Sequence, residues 1–280
     1  MRSRPGAEAG CRSRHEVPSL RSAPRTWKLT SWFFASAPPQ YTQQWFAEKT
    51  ALLERAIQLD PDYARALQED AWHKLVGWIF RLDTSLPPEE IRQNAINAVQ
   101  LDPNDGLAHR TAAFGYLYDR QLDLFEREAQ LAFELAPYDA DVFAQLGMAI
   151  AMSGQWDRGI SLVDKAHRLN PVSAAGWYET ALHYDYYRRG EYRKAVEVLR
   201  SHPGQMLCQT QFKYVAAYGQ LGEPLEAKKH WDRCIASVAN FSPGRVAELL
   251  RVWNLPESFI RHYMEGIGKA GYPCDDECRL

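Results

Sequence analysis

Three prolines spaced 34 residues apart constrain the fold of this chain more than any other feature. Pro103, Pro137 and Pro171 each close a short Leu-x-Pro step, and Pro61 closes the same step 42 residues before the first of them. Proline ends a helix because it lacks an amide hydrogen and its ring clashes with the preceding turn. A regular period of this length indicates stacked copies of one supersecondary unit.

The segment 139–171 predicts what one unit contains. Its two halves carry apolar residues at the spacing of an amphipathic helix, and Ser153-Gly154 separates them. These residues are Phe143, Leu146, Gly147 and Ile150 in the first half, and Trp156, Ile160, Val163 and Ala166 in the second. Two such helices cannot bury both apolar stripes against each other, so each unit needs a neighbour on either side.

The pattern also sets the expected domain boundaries. Residues 1–40 are rich in Arg, Ser, Pro and Gly without apolar periodicity, which predicts disorder, with an organelle-targeting segment as the alternative. Residues 41–240 are predicted to hold a partial cap and about four to five units. Residues 241–272 are predicted to form two capping helices, and residues 273–280 a flexible tail.

Charge and hydropathy exclude two classes of partner. The net charge is −2, and the excess of basic groups is confined to residues 1–40, so the repeats lack the basic footprint of a nucleic-acid-binding surface. No apolar run approaches the roughly 20 residues that a membrane helix needs. Five cysteines at scattered positions, with Cys234 expected as a small buried residue, are typical of a reducing compartment. We therefore expect a cytoplasmic protein that binds no nucleic acid and does not insert into a membrane.

No group of residues has a catalytic or metal-binding pattern. The eight histidines occur singly, and Cys274 and Cys278 are separated by three residues instead of the two of a zinc knuckle. The chain has no glycine-rich phosphate loop and no nucleophile elbow. The sequence therefore predicts a protein that is not an enzyme and holds no metal or cofactor.

The unit resembles the tetratricopeptide repeat, a helix pair with small residues at the helix contact and a closing proline. The third unit carries the resemblance best, through Leu146-Gly147, Ile150, Gly159, Val163, Ala166 and Pro171. Matching positions in the other units are Ala112-Ala113, Tyr116, Ala132 and Pro137; Trp177, Ala181, Tyr184, Ala195 and Leu199; and Tyr218, Ala227 and Trp231. The resemblance covers about residues 42–240 and implies an all-α, right-handed helical-repeat solenoid with terminal capping helices.

A closer resemblance is to the C-terminal repeat region of bacterial class III adenylate cyclases. It is carried by LERAIQLDPDYARAL, LGMAIAMSGQWDRGISLVDKAHRLNP, GWYETALHYDYYRRGEY and HYMEGIGKAGYP. In such proteins the cyclase domain precedes the repeats and is far longer than the 40 residues found before them here. The resemblance therefore implies a regulatory half without the metal-binding aspartates and nucleotide pocket of the catalytic half.

The repeat resemblance also implies a concave groove, built by the first helix of each unit, that binds a protein or peptide segment. Transferred by helical phase, its lining includes a row that is more apolar than a solvent-facing surface usually is. The row consists of Trp72, Arg110, Phe114, Tyr118, Met148, Met152, Tyr178, Leu182, Tyr186 and Phe212. The alternative is that the chain's own tail or a loop covers this row.

Together these expectations favour a non-catalytic protein-interaction module that docks or regulates a signalling partner. The first alternative is a regulatory fragment or subunit of an adenylate cyclase. A structural scaffold for envelope or secretion complexes is the second alternative, and it requires an exported chain.

Overall fold

The helices follow the proline period along the chain. The computed structural model describes residues 43–79, 88–171, 178–201, 208–237 and 241–274, and within these ranges it contains thirteen α-helices and no strand. In chain order they are α1 Gln43–Leu59, α2 Ala64–Ile79, α3 Pro88–Leu101, α4 Gly106–Tyr118, α5 Leu122–Leu135, α6 Ala140–Met152, α7 Trp156–Leu169, α8 Glu179–Arg188, α9 Tyr192–Ser201, α10 Cys208–Leu221, α11 Pro224–Ser237, α12 Pro243–Val252 and α13 Glu257–Lys269. The predicted all-α helical-repeat fold is therefore confirmed.

Local sequence explains where the units begin and turn. Asp105 and Asp139 cap α4 and α6, because each carboxylate accepts a hydrogen bond from an amide of the first turn, at 2.8 and 3.1 Å. The turn between the two helices of a unit uses Gly154 and Gly190 with φ of 107° and 74°. A side chain there would meet no atom within 4 Å, so the left-handed backbone alone requires glycine.

Small residues allow the two helices of the third unit to pack closely. A Cβ atom at Gly147 on α6 would lie 2.9 Å from the carbonyl oxygen of Gly159 on α7. Real Cβ contacts are essentially never this short, so α6 and α7 could not keep their spacing with a larger residue there. The predicted close approach at Gly147 is confirmed.

The first helices of successive units form a continuous row. α2 packs against α4, α4 against α6, and α6 against α8, while each second helix packs against the first helix of its own unit. This arrangement places the side chains of α2, α4, α6 and α8 on a shared face.

The two C-terminal helices return over this row. α13 packs against α10 and also against α8, two units earlier in sequence order. Its apolar side is buried, with Tyr263 and Ile267 both 0% exposed. A Cβ atom at Gly266 would lie 2.5 Å from the carbonyl oxygen of Ala216, so α13 crosses α10 at backbone distance. At the turn before α13, the Asn254 amide donates to the Leu117 carbonyl oxygen at the end of α4 (3.4 Å).

The cysteines differ from the sequence prediction. Cys208 and Cys234 form a disulfide between α10 and α11, with Cα atoms 4.5 Å apart. Cys234 is buried as predicted, but the pairing of the two helices brings it against a cysteine 26 residues away. Disulfides persist mainly in oxidising compartments. The cytoplasmic location stays a prediction.

Some predictions fall outside the residues that the structure describes. These predictions concern segment 1–40, which was predicted to be disordered, Trp177, Cys278 and the last residues of the tail. The three boundaries between the four predicted segments stay predictions. Among the residues described, no helix is both long and apolar enough to cross a membrane.

Candidate protein-interaction surface

The ten groove residues predicted from sequence are here called the first-helix row. Nine lie on α2, α4, α6, α8 and α10, and Tyr178 directly precedes α8. The N-terminal half of the row, on α2 and α4, consists of Trp72, Arg110, Phe114 and Tyr118. The C-terminal half consists of Met148, Met152, Tyr178, Leu182, Tyr186 and Phe212.

The row is not the open apolar surface that the sequence predicts. Six of its residues are buried within the chain, and these are Arg110, Phe114, Met148, Met152, Tyr178 and Phe212. The other four are half-buried, namely Trp72, Tyr118, Leu182 and Tyr186. Neighbouring first helices and the C-terminal helices cover much of the row, in line with the alternative that the chain covers itself. A partner-binding role for these residues stays a prediction.

Tyr178 is a core residue. It is 1% exposed and belongs to a small apolar cluster with Phe143, Ala144 and Ala166 of the preceding unit. Its hydroxyl donates to the Asp141 carboxylate at 2.5 Å. Helical phase placed Tyr178 on the outer stripe of its own helix. The residue instead precedes the first turn of α8, and its side chain packs against α6 and α7.

In the C-terminal half, α13 takes part in a shared aromatic core. Phe212 lies edge-on to Tyr263 with ring centroids 6.4 Å apart, and Met148 and Met152 belong to the same cluster as Phe259. Tyr187 on α8 packs against Tyr263 at a centroid distance of 4.6 Å. The C-terminal helices therefore act as an internal occupant of this part of the row.

The polar groups next to α13 are paired. His183 is fully buried, and its Nδ1 lies 3.0 Å from the Ala195 carbonyl oxygen, so this nitrogen carries the proton. Its Nε2 then accepts from the Tyr263 hydroxyl at 3.2 Å. Burial lowers the pKa of His183 to about 3, which keeps the ring neutral. The Tyr187 hydroxyl donates to the His262 carbonyl oxygen at 3.2 Å.

In the N-terminal half, aromatic rings of α2 and α4 interleave. Trp72 lies edge-on to Phe114, and Trp78 lies edge-on to Tyr118, each with ring centroids 5.5 Å apart. The guanidinium of Arg110 stacks on the Trp72 ring, with its Cζ 4.0 Å from the centroid. Such contacts hold the rings in one arrangement and leave Trp72 and Tyr118 partly at the surface.

Besides Asp70 Oδ1, three buried polar atoms on α2 and α4 have no hydrogen-bond partner in the described part of the chain. They are Gln68 Oε1, one turn before Trp72, Arg110 Nε and the Tyr118 hydroxyl. Burial lowers the pKa of the Arg110 guanidinium from its ordinary value and raises that of the Tyr118 phenol. An unpaired buried polar atom costs about 1–3 kcal/mol, so this half of the row is energetically incomplete by itself.

His109 and Glu128 form a buried pair behind the N-terminal half. Nδ1 of His109 lies 2.6 Å from Glu128 Oε2, and Nε2 lies 3.0 Å from the Pro103 carbonyl oxygen. Both neighbours are acceptors, so the protonated ring satisfies them, and the hydrogen bond to Glu128 raises the pKa of His109. Burial raises the pKa of Glu128, but hydrogen bonds from His109 and Arg127 outweigh burial and hold it below its ordinary value. This pair joins α4 to α5.

The sequence did not indicate that Lys213 on α10 is a buried lysine. The side chain is buried, and its Nζ donates to the Thr180 hydroxyl at 2.6 Å. Burial lowers the pKa of this amine to about 7, with the Glu179 carboxylate opposing the shift. A lysine on a helix is normally exposed, and only the packing of α10 against α8 shows otherwise.

No group of three or more metal-ligating side chains is brought together among the residues that the structure describes. Cys274 lies within that part, but the predicted tail around it continues beyond it. The chemistry of the surface is therefore that of aromatic rings, one buried guanidinium and unpaired polar atoms.

Comparison with known proteins supports the fold of the chain but does not show its function. No protein-family model matches the chain, and no curated protein matches it. Among solved structures, YrrB, "a TPR protein with an unusual peptide-binding site", is 15% identical, covers 71% of this chain and 95% of its own, and has a TM-score of 0.40.

A second solved structure is more similar in shape. A chain of the APC/C hetero-tetramer Cut9-Hcn1 is 13% identical with a TM-score of 0.56, and the match covers 91% of this chain and 51% of that chain. The protein thus spans about half the length of that relative. This similarity supports a tetratricopeptide-type helical-repeat fold. The resemblance to adenylate cyclases is not shown by either comparison.

Proposed function

We propose that the protein is a non-catalytic interaction module that binds a segment of a partner protein on the N-terminal half of its first-helix row. The observation that carries the proposal is the set of unpaired buried atoms Gln68 Oε1, Arg110 Nε and Tyr118 hydroxyl beside the half-buried Trp72. A segment crossing α2 and α4 supplies the missing donors and acceptors while its apolar side chains cover the aromatic rings.

The energetics favour binding at this place over other parts of the surface. Pairing buried polar atoms recovers a cost that the free protein already carries. Half-buried aromatic side chains held by their neighbours lose little conformational freedom when a partner covers them. In the C-terminal half, by contrast, α13 already provides these contacts.

The fold is consistent with a role in assembly. Helical repeats expose an extended face built by the same helix of each unit, and Cut9-Hcn1, which shares the fold, is a hetero-tetramer. A cytoplasmic location remains part of the proposal, and the disulfide between Cys208 and Cys234 weighs against it.

Within this class, a signalling partner such as a nucleotide cyclase is the finer proposal, supported only by the sequence resemblance. A chain of this kind makes no cyclic nucleotide itself. Purified protein incubated with ATP or GTP and Mg²⁺ or Mn²⁺ should show no cyclic nucleotide above a protein-free blank. Protein-dependent product that a point mutation abolishes would contradict the non-enzyme proposal.

The binding proposal is tested by quantitative affinity purification with two matched variants. Trp72→Ala removes the half-buried ring on α2, whereas Tyr138→Ala removes a ring that is 85% exposed in the turn between α5 and α6. We expect the first variant to lose a defined set of partners by about tenfold or more and the second to keep them. Circular dichroism checks that both variants are folded. Equal recovery with both would place the binding surface elsewhere.

A further inference from the structure

Arg110 occupies the centre of the N-terminal half of the row, in the second turn of α4. The residue is 6% exposed, and its guanidinium Cζ lies over the Trp72 ring, 4.0 Å from the centroid. Arginine stacked in this way keeps its N–H donors along the edge of the plane. A group that approaches beside Trp72 therefore meets donors in a fixed orientation.

The charge of Arg110 has no close counter-ion in the described part of the chain. No carboxylate there lies within 4.0 Å of its nitrogens, although Glu69, Asp139 and Asp141 act on it from farther away. Arginine stays protonated in proteins, so this is a buried cation without an ion pair. Such groups are rare because an uncompensated buried charge strongly destabilises a fold.

Hydrogen bonds within the fold do not satisfy the guanidinium either. Among the described residues its one bond is from a terminal nitrogen to the Thr111 hydroxyl at 3.5 Å, the limit of a hydrogen bond. That hydroxyl already donates to the Leu107 carbonyl oxygen at 2.9 Å and accepts from the Gln68 amide at 3.2 Å. The Arg110 Nε atom has no partner in the described residues.

We propose that Arg110 binds the carboxylate of an Asp or Glu side chain carried by the partner segment. This inference rests on the proposed function and names the chemistry of its ligand. The carboxylate lies in the plane of the guanidinium and accepts from two of its N–H groups, which is the fork geometry that arginine favours. An apolar neighbour of the acidic residue covers Trp72.

Charge selects a carboxylate over a phosphate group. The carboxylates of Glu69, Asp139 and Asp141 are near enough to interact with Arg110. A phosphate carries close to two negative charges at neutral pH and is repelled by these groups more strongly than a single carboxylate. A partner with one acidic residue among apolar ones fits this balance.

The stability of the free protein provides the first test. Arg110→Met keeps an unbranched side chain on the Trp72 ring and removes the unpaired charge. We expect Tm to rise by about 2–4 °C, because the unpaired charge destabilises the free protein and is compensated only when the ligand binds. Arg168→Met, at an exposed position on α7, serves as the control and should leave Tm unchanged. A fall in Tm with Arg110→Met alone would mean that the fold itself satisfies the guanidinium, and the proposal would be wrong.

Binding provides the second test, with a phage-displayed library of random dodecapeptides as the probe. Peptides selected on the intact protein should share an acidic residue at one position. Replacing it in a synthetic peptide by its amide, Asp→Asn or Glu→Gln, should weaken binding about tenfold to a hundredfold. Measured on Arg110→Met, the same replacement should change affinity by less than about threefold.

The outcomes separate this inference from the proposed function. Peptides that need Trp72 but show no acidic position would overturn the inference and leave the interaction module standing. If every selected peptide still binds the Trp72→Ala variant, both proposals fail. An acidic preference that persists in Arg110→Met would assign the carboxylate to another cation and overturn the role of Arg110.

Discussion

The two halves of the first-helix row differ in how their aromatic and polar side chains are covered. In the C-terminal half, α13 returns over α8 and α10 and pairs with their polar groups, as the bond between His183 and Tyr263 illustrates. In the N-terminal half, the end of α12 adds Val252 and Trp253 to the apolar cluster of α2 and α4, but Arg110 and Tyr118 keep unpaired buried atoms. A repeat protein can thus complete one part of a shared face internally and leave another part for a partner.

Breaking the internal cover should give the largest effect. Gly266→Ala places a Cβ atom 2.5 Å from the Ala216 carbonyl oxygen, so α13 must move away from α10. We expect a loss of about 3 kcal/mol in the free energy of unfolding, measured by urea denaturation. The increase in helix propensity from Gly to Ala recovers at most about 1 kcal/mol.

Gly268→Ala is the matched control on the same helix. A Cβ atom there has its nearest neighbour, the Pro273 Cα, at 3.9 Å, so the substitution adds no clash and should be neutral or slightly stabilising. If the two variants were equally stable, α13 would not be held against α10 by this crossing, and the contrast between the two halves would lose its basis.

The sequence predicts the repeat better than it predicts what covers the repeat. The proline period and apolar spacing depend on neighbouring residues, so they locate α6 and α7 correctly. The cover of the row depends on contacts between distant residues, such as that between His183 and Tyr263, 80 positions apart. Helical phase assigns a side chain to a stripe, but it does not show that a later helix lies on that stripe.

The same limit explains the individual site residues. Phe114 and Tyr178 have the composition and phase of surface anchors, yet they are 2% and 1% exposed. Their truncation is therefore expected to unfold the protein and would not isolate a binding defect. Arg110 was predicted to line the groove, but its missing counter-ion depends on the positions of Glu69, Asp139 and Asp141 in space, which spacing along the chain cannot give.

Acid should act in opposite directions on the two halves. The folded-state pKa of His183 is about 3, below the ordinary value of 6.5. As the pH falls, this histidine therefore binds a proton in the unfolded chain before it does so in the folded protein. This linkage should reduce the free energy of unfolding by about 2 kcal/mol between pH 7.5 and pH 5. The folded-state pKa of His109 is raised, so its pair with Glu128 contributes stability fully below pH 6.5 and loses it as the pH rises through the folded-state value.

Single substitutions separate these two contributions. His183→Gln should reduce the loss of stability between pH 7.5 and pH 5, whereas His109→Gln should destabilise more at pH 5.5 than at pH 8.5, where the wild-type pair is weaker. Denaturation at each pH gives the four values. An unchanged acid response in His183→Gln would place the titrating group elsewhere in the chain.

The smallest effect tests the comparison most directly, because it uses the same chemical change in each half. Tyr187→Phe removes a hydroxyl that donates to the His262 carbonyl oxygen at 3.2 Å, and its loss should cost about 1 kcal/mol. Tyr118→Phe removes a hydroxyl that is buried without a partner among the described residues, so it should be neutral or stabilise the free protein by about 1 kcal/mol. The opposite signs follow from pairing alone, since both substitutions remove one oxygen from an aromatic ring. A loss of stability in both variants, measured by urea denaturation, would mean that the Tyr118 hydroxyl is satisfied in the free protein and that the N-terminal half needs no partner to complete it.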